Sequence, residues 1–264
     1  MPFRILLALF LVLAAHPALS HEFWIEARDY QVQPGGRIEA GIYNGQNFNG
    51  VELAWFEGRI AEAHWAASAT TGGFTSRTGD RPALKLTAPA AGLLRLIYQS
   101  TPSTLTYDDW EKFSSFATSK GNGWAIARHD ARGLSRTGVR ESYTRFCKAL
   151  VAIGDGAGRD AFSGMEAELV ALSNPYADPA AAGLRVEFRY QGMPRPSARI
   201  DIFEKAATGK VTKTHVVTDD TGQALVPLTP GARYLLDAVI LREASADTHS
   251  WESLWASLTF RAPQ

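Results

Sequence analysis

The stretch Leu184–Lys205, LRVEFRYQGMPRPSARIDIFEK, decides the fold. LRVEFRY alternates apolar with polar residues, GMPRPSA supplies turn formers, and RIDIFEK alternates again. Period-two alternation on both sides of a Gly/Pro turn predicts two half-buried strands. Gly192-Met193-Pro194 turns the chain so that Ala198, Ile200 and Ile202 of the next strand face inward. Toward the C-terminus the same grammar repeats: KVTKTHVVT alternates, Asp219-Asp220-Thr221-Gly222 makes a tight turn in which Gly222 supplies a positive φ, and ALVPL, YLLDAVIL and SLTFRA follow. Short strands at this spacing outline a seven-stranded sandwich.

Toward the N-terminus, NPYADPAAAG (Asn174–Gly183) reads as a linker or domain edge. From His21 to about residue 99, further β-rich segments are divided by Pro34-Gly35-Gly36, Gly58 and Thr71-Gly72-Gly73. Between them and the linker the texture changes. TYDDWEKFSSFATSKG predicts a short amphipathic helix with Thr106 as N-cap and Gly121 as stop. The arginine-rich GWAIARHDARGLSRTGVR extends it as a mobile insertion. FCKALVAIG, beginning at Phe146, fits a strand or a helix end, because an unbroken apolar run has no period. The expected fold class is therefore mainly β, with two sandwich-like domains at 21–173 and 174–264, the first carrying a helical insertion at about 106–140.

Residues 1–20, MPFRILLALFLVLAAHPALS, place one basic residue, Arg4, before an apolar run and end with small residues at Ala18 and Ser20. That is the pattern of a cleavable secretory signal, with the cut expected after Ser20 and His21 as the new first residue. The apolar run is shorter than the roughly 20 residues a membrane span needs. No later stretch reaches that length, so no span is expected after cleavage, and the location is periplasmic or secreted.

With 27 basic and 27 acidic residues and no basic run, the chain lacks the clustered charge that drives nucleic-acid binding. Cys147 is the single cysteine, which excludes an internal disulfide. It sits in an apolar run and reads as a small buried hydrophobe. P-loop, GxGxxG, HExxH and GxSxG motifs are absent, and no catalytic residue is assigned.

The segments FRYQGMPRPSARIDIF and TDDTGQALVPLTPGARYLLDAV resemble transthyretin-like or carboxypeptidase-regulatory sandwiches. Across the whole mature chain, HEFWIEA, RESYTRFCKALVAIG, ELVALSNPYA and WESLWASLTF resemble, in that order, a domain-of-unknown-function family described as periplasmic components of nickel or cobalt uptake systems. The resemblance implies a non-catalytic role: binding a divalent transition metal and passing it to a nickel/cobalt membrane transporter.

His21 is the sharpest candidate ligand. A histidine at a free N-terminus offers its α-amine and its imidazole Nδ1 to one cation, and the amine's reference pKa of about 7.7–8.0 lets metal displace the proton near neutrality. Such nitrogen donors suit Ni(II), Co(II) or Cu(II) over magnesium or calcium. His64, which shares a strand face with Glu62, is the first choice for a second ligand, His249 the second and His129, in RHDARG, the third. His215 reads as an outward strand residue. A copper-loaded histidine brace doing oxidation is the competing class. A metal-free carbohydrate or protein interaction module is another, although Trp24, Trp55, Trp65, Trp251 and Trp255 are better explained as core.

Overall fold

Alternating apolar residues can be buried only by pairing strands into sheets and stacking the sheets. In the computed structural model, which describes residues 21–245 and 248–264, the chain does this with three sheets. The predicted signal segment 1–20 lies outside the described residues, as does Asp247 beside His249.

The first half runs β1 (Glu22–Ala27), β2 (Gln31–Val32), β3 (Arg37–Gln46), β4 (Asn49–Leu53), β5 (Ile60–Ala67), β6 (Thr70–Gly72), β7 (Leu84–Thr87), β8 (Gly92–Ser100) and β9 (Ser103–Tyr107). Two helices follow, α1 (Trp110–Ser119) and α2 (Trp124–Ala131). The second half comprises β10 (Val139–Ile153), β11 (Ala167–Ala171), β12 (Leu184–Tyr190), β13 (Met193–Pro194), β14 (Arg199–Lys205), β15 (Val211–Val217), β16 (Gln223–Val226), β17 (Arg233–Glu243) and β18 (Trp251–Arg261).

A ten-stranded sheet, ordered β15-β14-β17-β18-β10-β8-β5-β6 with β2 and β9 also on β10, forms the middle layer. Its pivot is the parallel pairing of β10 with β18, in which Arg145 stands opposite Trp255. On one face lies the sheet β11-β12-β13 with β16, enclosing Leu150, Leu169, Phe188, Leu236 and Leu258. The other face is shared. The sheet β1-β3-β4 with β7 covers Ile25, Ile42, Leu96, Cys147 and Val151, while the helices cover Trp251 and Trp255 with Phe113 and Phe116.

β10 therefore contributes alternate residues to cores on both faces, Phe146 and Leu150 to one and Cys147, Ala149 and Val151 to the other. A strand buried on both sides has no polar face, and that is why FCKALVAIG is aperiodic. The helical insertion begins later than the sequence predicts. Thr106 pairs with Arg140 in β9–β10, and Asp109 is the N-cap of α1, its side chain accepting the Glu111 N–H at 2.8 Å. The arginine-rich segment beyond it carries a second helix, α2. The segment 174–183 is tied down by Asn174, whose Nδ2 donates to the carbonyls of Gly156 and Gly158 at 2.8 and 2.9 Å.

Candidate functional site

Where β1 and its sheet meet the helical insertion, a cavity of about 570 Å³ opens over the middle sheet. That is within the usual range of roughly 300–1,000 Å³ for small-molecule sites. His21 and Phe23 line one side, Tyr98 and Tyr107 another, and Arg145 and Trp255 a third.

The three residues after His21 anchor β1 beside the cavity. Phe23 stacks on Tyr98 with ring centroids 5.7 Å apart. Trp24 is wholly buried, stacked on Tyr43 and edge-on to Phe48. Glu22, opposite Gly45 in the β1–β3 register, is buried and accepts the Asn47 N–H at 3.1 Å.

Glu22 also belongs to an interior ion cluster. Lys120, the C-cap of α1, sends its Nζ to Glu22 Oε1 at 3.3 Å, Asp201 Oδ2 at 3.2 Å and Asp237 Oδ2 at 2.7 Å. Arg199 and Lys213 reach Asp201 from outside at 2.7 and 3.1 Å. Burial alone would lower the Lys120 pKa, but the three carboxylates outweigh it and raise that pKa. Burial likewise acts to raise the Asp201 pKa, yet Lys120, Lys213 and Arg199 hold it below the ordinary carboxylate value. For Glu22 burial wins, and its pKa is raised despite Lys120.

Inside the cavity, Glu141 accepts the Tyr107 hydroxyl at 2.6 Å and the Ser253 hydroxyl, and burial raises its pKa above the usual carboxylate range. The Arg145 guanidinium lies over the Trp255 ring at 4.2 Å and faces the Tyr143 ring at 5.0 Å. Its backbone N–H donates to Ser100 Oγ at 3.0 Å, while Nε and Nη1 are buried with no hydrogen-bond partner among the described residues.

The predicted ligands do not converge. His64 lies opposite Ile97, a residue of the core on the far face of the sheet, whereas the next residue, Tyr98, lines the cavity. Side chains alternate along a strand, so His64 and His21 are on opposite faces. His64 Nδ1 instead pairs with Glu62 at 3.1 Å, as their shared strand face predicts.

His129 is wholly buried on α2. Its Nδ1 accepts the Trp251 Nε1–H at 3.0 Å, which leaves the proton on Nε2 to donate to the Ser135 carbonyl at 3.0 Å. With both nitrogens committed, it has no lone pair for a metal. His249 bonds Thr248 Oγ1 through Nδ1 at 2.9 Å and lies outside the cavity lining. Among the described residues, no group of three or more His, Cys, Asp or Glu side chains could hold a metal ion. Cys147 is buried, and that burial pushes its thiol up to about 12.

The ion cluster and Arg145 were missed by sequence reading, although a signal was present. Asp237 interrupts YLLDAVIL, Lys148 interrupts FCKALVAIG, and Arg145 immediately precedes that run. A charge at an interior strand position must find partners or a ligand.

The chain belongs to the family Domain of unknown function (DUF4198), whose model matches residues 18–242. No curated protein matches it. Among solved structures, a tetra-tandem repeat from the extending region of a large adhesion protein is 10% identical with a TM-score of 0.22. The match covers 92% of this chain and 50% of that one, so the chain spans half its length. The D0-D1 domain of intimin is 12% identical over 89% of this chain and 96% of that one, with a TM-score of 0.20. The Yersinia pseudotuberculosis adhesin InvE is 13% identical over 91% and 58%, with a TM-score of 0.19. Scores this low identify no shared fold. No helix among the described residues is long and apolar enough to cross a membrane.

Proposed function

We propose that this protein is a periplasmic, non-catalytic carrier of a divalent transition metal, nickel or cobalt, whose protein ligands are the α-amine and imidazole of His21 after removal of residues 1–20. The observation carrying this reading is the place of His21 in the cavity lining, one residue before β1. Glu22, Phe23 and Trp24 each have their own partners, so the strand that follows His21 is anchored beside the cavity while the His21 side chain stays exposed to incoming metal.

Two nitrogens from one residue fill only part of a coordination shell, and neither His64 nor His129 can add to it. The remaining positions are left to water or to a small ligand in the cavity. A carrier benefits from that arrangement, because cargo with few protein ligands can be handed to a membrane transporter without breaking a closed cage. Calorimetric titration of protein beginning at His21 with Ni(II), Co(II), Cu(II) and Zn(II) tests it. Saturable one-to-one binding of Ni(II) or Co(II) is expected, and no binding of any of the four removes the proposal.

A further inference from the structure

We propose that the cavity is a binding site for a small organic carboxylate, with the Arg145 guanidinium as counter-ion and the apolar side chains of the lining, Phe23, Ile42, Leu53 and Ile60, holding the ligand's apolar body. This goes beyond metal carriage and does not depend on it.

In the neighbouring ion cluster Lys120, Arg199 and Lys213 pair with Glu22, Asp201 and Asp237; the Asp237 charge also acts on Arg145, but no carboxylate among the described residues forms a salt bridge with it. Glu141, the buried carboxyl group of the lining, is occupied by Tyr107 and Ser253, and its burial favours the neutral acid. Arg145, only 9% exposed, thus lines the cavity without a salt-bridge partner among the described residues, and its Nε and Nη1 are unsatisfied. Desolvation lowers its pKa, but a guanidinium starts so high that it stays charged. An uncompensated buried charge is strongly unfavourable, so a protein that keeps one in a cavity wall has a use for an anion there.

The rest of the cavity describes the anion. A guanidinium presents a planar fork that matches a carboxylate. Around it the walls are aromatic and aliphatic, with Phe23, Ile42, Tyr98 and Phe116 in the lining. At about 570 Å³ the space accommodates a compact organic acid with an apolar body, in preference to a bare inorganic ion. Arg59 and Lys112 against Asp108 leave a cationic excess in the remaining lining, which favours entry of an anion.

The test uses metal-free protein beginning at His21, titrated calorimetrically with 3-phenylpropionate and with its neutral isostere 3-phenylpropionamide, so that failure of metal binding cannot affect it. The carboxylate should bind at least about tenfold more tightly than the amide, and Arg145→Gln should abolish that preference. Far-UV circular dichroism checks that the variant is folded. Should R145Q fail to fold, the side-chain Nε–H resonance of Arg145 in the wild-type protein provides the second reading, and it should shift on adding the acid but not the amide. Equal binding of the two compounds, binding of neither, an unchanged preference in R145Q, or an unmoved Arg145 resonance each overturns the proposal.

Discussion

Lys120 Nζ lies 2.7 Å from Asp237 Oδ2, a buried contact that joins the end of α1 to the middle of β17 across 117 residues of sequence. Through Glu22 the same ammonium also holds the strand that begins next to His21. The helical insertion and the N-terminal strand are thus anchored at one point.

Removing that ammonium leaves three carboxylates facing one another in the interior. Lys120→Met is expected to destabilise the fold by roughly 3–5 kcal/mol, the range for breaking a buried ion cluster from one side. Urea unfolding followed by tryptophan fluorescence measures it. A loss below about 1 kcal/mol, the value of an ordinary exposed pair, would contradict the cluster's role.

Glu141 should make stability depend on pH in a definite direction. Its folded pKa is raised by burial, above an unfolded value of about 4.3. Such a group contributes stability that is fully present below the unfolded pKa and is lost as pH rises through the folded one. Glu141→Gln cannot titrate, so its stability relative to wild type should improve steadily from pH 4 to pH 7. Parallel denaturation curves at the two values check this, and a difference independent of pH counts against a buried, proton-holding Glu141.

His129 and His64 should be silent in metal binding for different reasons. His129→Ala leaves the Trp251 indole N–H without its acceptor, and the lost partner alone costs about 1–3 kcal/mol in thermal or urea unfolding. His64→Ala, on the far face of the sheet, should leave stability nearly unchanged. Nickel affinity in both variants should stay within about twofold of wild type. A tenfold loss in either would place that histidine in the site after all.

Much of the fold was readable in the sequence because alternation is a local property. LRVEFRY and RIDIFEK became β12 and β14, and TYDDWEKFSSFATSKG contained α1. β10 was ambiguous because both of its faces are buried, and burial on two sides erases the period on which strand recognition depends. Thr106 was a reasonable cap by residue type, but a cap is chosen by where the preceding strand stops pairing, and β9 continues to Tyr107. Of the site, His21 could be named from the signal pattern alone. Its partners could not, because which face of β5 carries His64, and which nitrogens His129 has left, are facts of three-dimensional packing. That Arg145 lines a cavity without a salt-bridge partner among the described residues is likewise visible only once the strands are packed.

Chelation by His21 through its amine and ring together is tested by the Ni(II) affinity, measured calorimetrically, of protein beginning at His21 and of the same protein acetylated on its α-amine. Acetylation keeps the imidazole and removes the amine as a donor, so at least about a hundredfold weaker binding is expected, from loss of the second nitrogen. Equal affinity in the two forms would rule the chelate out.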